Sequence, residues 1–269
     1  MLLIAQQERR INQTFPRKLA LTLVLVVLCL LLSHVISQSV KIYSGHDVIG
    51  GLIPEFDLNS ENNVPTWYSS SALLLASALL AMIAFVKKQQ QEVYARHWVV
   101  LVGLFLFLSM DEAASIHEMG SKLAKLIMPS IKDSGYLSGY LYYTWVVFGA
   151  SFALLFGLAY LRFLIHLPVK TRSLLVLAGI LYVGGAIGVE LLGARSDYLY
   201  GEGTLEYAML VLWEEGFEML GIVLFIYALT SYLGPRLTNL RILVVDGAPR
   251  PGTFTVHSGG RQIENIPSD

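Results

Sequence analysis

Six apolar stretches, each about as long as a lipid bilayer is thick, constrain the fold of this chain more than any other feature. A helix needs roughly 20 apolar residues to cross ~30 Å of hydrocarbon. Only helices and closed barrels satisfy their backbone hydrogen bonds in that environment. The sequence therefore predicts an all-α integral membrane bundle of six transmembrane helices within residues 18–234. The stretches lie at residues 18–40, 67–86, 98–118, 141–164, 173–194 and 205–233.

The composition favours a membrane protein and argues against nucleic-acid binding. Of the 269 residues, 55% are hydrophobic and 14% are charged, and the mean hydropathy is +0.58. Ordinary soluble domains carry about 25% charged residues. The formal net charge of −1 provides no excess of basic residues for nucleic acid. We therefore expect membrane lipid, and no nucleic acid, as a partner, and partner membrane subunits remain an alternative.

The distribution of Lys and Arg predicts the orientation of the chain. The two tails and the loops after the second and fourth stretches hold 14 of the 19 basic residues, and the other loops hold 5. Cytoplasmic loops of membrane proteins are enriched in these residues. Residues 1–17 are thus predicted to be a cytoplasmic N-terminal tail and residues 235–269 a cytoplasmic C-terminal tail. The first apolar stretch is too long for a signal-peptide core, so we expect a retained, multi-pass protein of the cell membrane.

Acidic residues inside the apolar stretches are the main indication of function. No Lys or Arg lies well inside any of the six stretches. An ionised Asp at the centre of a membrane helix costs roughly 2.5–3.5 kcal/mol. We therefore expect these side chains to face one another inside the bundle or to line an aqueous cavity. The acids are Asp111, Glu112, Glu118, Glu190, Glu214, Glu215 and Glu218.

Helix geometry predicts that the acids form one site in the outer half of the bundle. Asp111 and Glu118 are seven residues apart and would share a face of one helix. The three glutamates at 214–218 fall within about 100° of arc on another helix. His117 would lie at the mouth of this site.

A metal ion, protons or a transported cation would neutralise such a site. Carboxylates with one or two imidazoles suit Mg²⁺, Ca²⁺, Mn²⁺ or iron, and suit Zn²⁺ less well. We predict a divalent metal as the cofactor and no organic cofactor. Glu190 is predicted to be a catalytic base or outer ligand, and Glu215 to assist it. The predicted metal ligands are Asp111, His117, Glu118, Glu214 and Glu218.

The loop FDLNSENNVPTW, before the second stretch, offers a further cation hypothesis. Asp57, Asn59 and Glu61 alternate as oxygen ligands of Ca²⁺ do. The alternative is an Asn/Asp turn that caps the following helix. His34, in the first stretch, is expected to be a hydrogen-bonded histidine of the bundle interior. Gly184 and Gly188 have the small-xxx-small spacing that lets another helix approach closely.

Two known motifs come close to this sequence. His117 and Glu118 begin like the H-E-x-x-H signature of zinc proteases, but Ser121 replaces its second histidine. The acidic loop, and the spacing of Glu214-x-x-x-Glu218, resemble the alkaline ceramidase family, whose resemblance implies a Ca²⁺ loop and a zinc site within a membrane bundle. The chain departs from that pattern in having six predicted spans instead of seven, carboxylates in place of histidines, and no S-x-x-x-H motif. We do not assign it to that family.

Three functions are compatible with these features. The first is a membrane-embedded, metal-dependent enzyme, a hydrolase or an oxidoreductase, that acts on a lipid-like substrate. The second is a proton- or cation-coupled transporter or channel. The third is a non-catalytic accessory subunit of a membrane complex. Carriers usually show related halves or interrupted helices, neither of which is visible here, so the sequence favours the first.

Overall fold

The regular structure of the described residues is helical, which confirms the all-α prediction. A computed structural model describes residues 2–45, 50–117, 119 and 139–246, with side chains from residue 14 to residue 234 within these ranges. In these ranges the chain forms helices and no strands. The helices are α1 (Leu2–Ser44), α2 (Leu52–Glu55), α3 (Val64–Gln89), α4 (Ala95–Ala114), α5 (Trp145–His166), α6 (Val169–Val183), a π-helix (Gly184–Val189), α7 (Glu190–Tyr200) and α8 (Leu205–Asp246).

Five helical segments of the described chain are long and apolar enough to cross a membrane, and they coincide with the first five predicted stretches. This arrangement fits a multi-pass membrane protein. Helix α8, which we predicted to be the sixth span, is not among the five. Three glutamates lie together at 214–218, in its N-terminal third. The five segments are Thr14–Ser44, Val64–Gln89, Ala95–Ala114, Trp145–His166 and Val169–Tyr200.

Helix α8 is the central element of the bundle. It packs against α1, α3, α6, the π-helix and α7. At one end, Met219 and Val223 of α8 are buried against Val27 of α1. At the other end, Leu229 of α8 is buried with residues of α3 to α6, among them Trp98. Because α8 has neighbours on most of its circumference, its acidic side chains face other helices.

Two glycines allow α8 to approach the π-helix and α6 closely, but they are not the two that the small-xxx-small spacing predicted. A Cβ on Gly185 would lie 2.6 Å from the carbonyl oxygen of Glu214, and one on Gly221 would lie 2.8 Å from the backbone nitrogen of Tyr182. Neither Gly184 nor Gly188 has another atom within 4 Å of its Cβ position. The prediction for that pair is wrong, because the π-helix turns Gly185 toward α8 instead.

Candidate carboxylate site

The end of α4 brings Asp111 and His117 together. Helix α4 ends at Ser115, whose φ of 49° lies in the left-handed region. The chain then folds back, so that the His117 N–H donates to Asp111 Oδ1 at 2.7 Å and His117 Nδ1 lies 3.2 Å from Asp111 Oδ2. Helix α4 ends at Ala114, so the regular helix does not continue beyond Asp111 as far as the prediction of a common face with Glu118 assumed. Glu118 itself lies outside the described residues.

The ring of His117 is held between an indole and a carboxylate. His117 lies beyond the spanning segment Ala95–Ala114, and its ring packs against Trp145 with 5.1 Å between ring centroids. Burial alone would lower the pKa of His117. The hydrogen bond with Asp111 and the negative charges of Asp111, Glu61 and Glu190 outweigh burial, so the pKa is raised. With Nδ1–H donating to the Asp111 carboxylate, Nε2 is the ring nitrogen that a neutral His117 can offer to a metal ion.

The π-helix positions Glu190, its C-terminal neighbour. A π-turn holds one more residue than an α-turn and is frequent at functional sites. Glu190 Oε1 accepts a hydrogen bond of 3.1 Å from Trp145 Nε1 on α5. The carboxyl groups of Glu190 and Glu214 lie within hydrogen-bonding reach of each other. Two carboxyl groups this close share a proton or hold a cation between them.

The remaining acids of α8 extend this contact in two directions. Glu218 interacts with the hydroxyl of Tyr182 on α6. Glu215 interacts electrostatically with Glu112 of α4 and with Glu61 of the loop before α3, as well as with Glu190. The acids of α4, α7 and α8 thus belong to one connected set.

Glu61 is also a member of this set, although its sequence context predicted only a Ca²⁺ ligand within its own loop. It interacts electrostatically with Glu112, Glu215 and His117. Its neighbours in the loop have other partners: Asn59 Oδ1 accepts a 2.7 Å hydrogen bond from the hydroxyl of Tyr207. We use the term carboxylate cluster for Glu61, Asp111, Glu112, His117, Glu190, Glu214, Glu215 and Glu218. Glu118, which was also predicted for this site, lies outside the described residues and is not included.

A network of side-chain hydrogen bonds fixes the loop that carries Glu61. Asn63 Oδ1 accepts from the Thr66 N–H at 3.0 Å and caps α3. Asn63 Nδ2 donates to the carbonyl oxygen of Asp57 at 2.6 Å and to that of Ser60 at 2.7 Å. These contacts confirm the alternative prediction of an Asn/Asp turn that caps the helix.

His34 holds the loop against α1 and α8. The side chain is buried, with 2% of the residue exposed. His34 Nδ1 accepts from the Leu58 N–H at 3.0 Å, so Nε2 carries the proton and donates to the Ala208 carbonyl oxygen at 3.3 Å. The prediction of a hydrogen-bonded interior histidine is confirmed.

Two tyrosines connect the ends of three helices beside the cluster. The hydroxyl of Tyr143 donates to Asp197 Oδ2 at 2.8 Å and lies 3.2 Å from the hydroxyl of Tyr207. Burial and the contacts with Tyr207 and Asp197 raise the pKa of Tyr143. Tyr143 therefore stays a neutral donor and keeps the start of α5 joined to α7 and α8.

The cluster brings together the predicted residues Asp111, His117, Glu190, Glu214, Glu215 and Glu218, but not in the form of a preformed metal centre. Among the described residues, no three His, Cys, Asp or Glu side chains are arranged to hold a metal ion. Their contacts are pairwise, between Asp111 and His117 and between Glu190 and Glu214.

The chain belongs to the family described as Domain of unknown function (DUF8692), which matches residues 18–233. That description names no activity. There is no significant match to a curated protein or to a solved structure.

Proposed function

We propose that the carboxylate cluster binds one or two divalent cations and that the protein is a membrane-embedded enzyme acting on a lipid-like substrate. The observation that supports this proposal is the convergence of acids from four elements, namely the loop before α3, α4, α7 and α8. The contacts that connect them join carboxyl groups to one another and to His117. Seven carboxyl groups with one imidazole favour a hard divalent cation as the counter-charge.

The residues divide by position into candidate ligands and a candidate base. Asp111, His117, Glu214 and Glu218 are the proposed ligands, with Glu118 as a further one. A bound divalent ion lowers the pKa of its water and polarises an ester or amide oxygen. Glu190, held by the indole of Trp145, would take a proton from that water. Glu215 would assist through its contacts with Glu112 and Glu61.

The proposed topology places the cluster toward the outer surface. Helix α8 would be the sixth span and both termini would be cytoplasmic, as the distribution of Lys and Arg predicts. The cluster lies at the ends of α4 and of the α6–α7 segment that this topology assigns to the outer half of the bilayer. A lipid-like substrate would then enter from the outer leaflet.

Metal content of the purified full-length protein is the primary test. The protein is dialysed against Mn²⁺ and then against buffer, and the retained metal is measured by elemental analysis and by electron paramagnetic resonance. We expect the wild type to retain one or two Mn²⁺ per chain and the Glu214→Gln/Glu218→Gln variant to retain none. Glu206→Gln is the matched control, since Glu206 is an exposed glutamate of the same helix. Retention of no metal by both the wild type and the double variant would contradict the proposal.

One observation favours a second candidate function, a proton-coupled carrier. Glu190 and Glu214 lie within hydrogen-bonding reach, and a pair of this kind can hold a proton without any metal. The alternative is tested with the protein in liposomes that contain a pH-sensitive dye. An imposed pH gradient that decays faster with the wild type than with Glu190→Gln, in metal-free buffer, would support the carrier and oppose the enzyme.

A further inference from the structure

A cavity lies at the end of the bundle opposite the carboxylate cluster. Its volume is about 230 Å³. Lys87, near the C-terminal end of α3, lies roughly 36 Å along the helix axis from Asn63 at the other end. The cavity is therefore independent of the proposed metal site. It is lined by Lys87, Glu92, Tyr94, Trp98, Phe163, His166, Leu167, Pro168 and Tyr232.

An ion pair between a buried lysine and a partly exposed glutamate is the polar feature of this cavity. Lys87 is 5% exposed, and its Nζ is hydrogen-bonded to Glu92 Oε1. The ammonium also lies 5.6 Å from the centroid of the Tyr232 ring. Removing the charge of Lys87 from water is costly unless it has a partner, and Glu92 supplies that partner. The pair is neutral as a whole, so an ion of one sign bound here would leave one of the two side chains without its counter-charge.

Aromatic side chains form much of the remaining wall. Tyr94, Trp98, Phe163 and Tyr232 line the cavity, and the rings of Trp98 and Tyr232 stack with centroids 5.4 Å apart. Aromatic faces attract ammonium groups, and quaternary ammonium ligands in particular. A ligand ammonium is thus favoured by the rings and by Glu92, and a ligand phosphate by Lys87.

The position of the cavity indicates what carries these groups. It lies where α3, α4, α5 and α6 begin or end, which is the level of lipid headgroups for helices that span a bilayer. Val93, Ile165 and Val169, at the same end of the bundle, are 87%, 67% and 67% exposed, and in a bilayer they would contact acyl chains. A volume of 230 Å³ is smaller than that of most pockets for drug-sized ligands. It suits a headgroup and not a whole lipid.

We propose that this cavity binds the zwitterionic headgroup of a membrane phospholipid, with its phosphate at Lys87 and its ammonium at Glu92 and the aromatic rings. The phosphate of a zwitterionic headgroup would pair with Lys87 and its ammonium with Glu92, so that every charge keeps a partner of opposite sign. An anionic headgroup without an ammonium would leave Glu92 unpaired, so it should bind less tightly.

Native mass spectrometry of the full-length protein in detergent tests this proposal. Equal amounts of phosphatidylethanolamine and phosphatidylglycerol are added, and the lipid adducts of each kind are compared. We expect the wild type to prefer phosphatidylethanolamine by at least about fivefold. Lys87→Met/Glu92→Gln should remove that preference while keeping the site neutral. Lys88→Gln, which changes an exposed neighbouring lysine, should retain it.

Glu92→Gln alone provides a second variant if the double variant does not fold. The side chain of Glu92 is 38% exposed and lies in a turn, so its loss is tolerated more easily than that of Lys87. Equal lipid ratios in the wild type and in Glu92→Gln would overturn the proposal, as would a preference for phosphatidylglycerol. Soluble phosphoethanolamine at the concentration of the lipid should leave the adduct in place, and complete displacement of the lipid would show that the acyl chains contribute nothing and would overturn the choice of a membrane lipid over a free headgroup.

Discussion

Gly185 of the π-helix packs directly against Glu214 of α8: a Cβ on Gly185 would lie 2.6 Å from the Glu214 carbonyl oxygen and 3.0 Å from Glu218 Cγ. The backbone that carries two of the proposed ligands thus lies directly against the segment that positions Glu190. Separation of these two helices would pull apart the Glu190–Glu214 contact.

Gly185→Ala is expected to destabilise the protein. The added methyl group meets backbone atoms that cannot rotate away, and such overpacking costs about 1–3 kcal/mol. The change should appear as a lower midpoint of thermal unfolding in detergent. Gly184→Ala is the control, since no atom lies within 4 Å of its Cβ position. Equal midpoints for the two variants would show that α8 does not approach the π-helix as described.

Asn63 has two separable roles, as a helix cap and as a donor to the loop. Asn63→Ser retains an oxygen that can accept from the Thr66 N–H but loses the amide that donates to the carbonyl oxygens of Asp57 and Ser60. Asn63→Ala loses both. Loss of a helix cap costs about 0.5–2 kcal/mol, so Asn63→Ala should unfold at a lower denaturant concentration than Asn63→Ser. Identical unfolding of the two variants would contradict the capping role.

Glu61 should contribute to cation binding although it lies in a loop. Glu61→Gln removes one negative charge that interacts with Glu112, Glu215 and His117. Loss of a residue that surrounds the ligands of a metal site lowers the affinity for the metal by about tenfold or more. The affinity for Mn²⁺, measured by calorimetry, should fall by this factor. Glu55→Gln, at an exposed position of α2, should leave it unchanged. A wild-type affinity in Glu61→Gln would exclude the loop from the site.

The proposed topology makes a prediction for intact cells. In a Cys29→Ser background, Gly203→Cys lies in the loop between α7 and α8, and Gln90→Cys lies in the turn after α3; both positions are exposed. A membrane-impermeant maleimide should label Gly203→Cys in intact cells. It should label Gln90→Cys, and Ser268→Cys in the C-terminal tail, only after the membrane is opened. Labelling of Ser268→Cys in intact cells would show that α8 does not span the membrane.

The helices could be predicted from the sequence because their signals are local. Apolar length determines which segments can cross a bilayer, and Asn63 with Pro65 predicts the start of α3 from residues next to each other in the chain. The end of α4 could not be predicted in this way. Ser115 adopts a positive φ in a chain that folds back to join His117 to Asp111, and no periodicity of the residues before it encodes that contact.

The site was predictable in part for the same reason. The glutamates at 214–218 share a face by helical spacing alone, and their position facing other helices follows from the cost of exposing a carboxylate to lipid. The place of Glu61 depends instead on His34, which binds Leu58 from 24 residues away. The choice of Gly185 over Gly184 depends on the π-helix, whose extra residue is accommodated by packing against α8. Contacts between distant parts of the chain therefore account for what the pattern missed.

The π-helix makes the length of the α6–α7 segment as important as its composition. Its wide turn shifts the phase of every residue that follows, by about 100° for one residue. A regular α-helix with the same number of residues between 184 and 189 would turn Glu190 by about 100° away from Glu214, although its hydropathy would be unchanged and it would still cross a bilayer. A chain with one residue fewer in this interval could form a regular α-helix and keep Glu190 close to its present direction. Alignments and engineered variants of this family should therefore count residues in that interval before they compare identities.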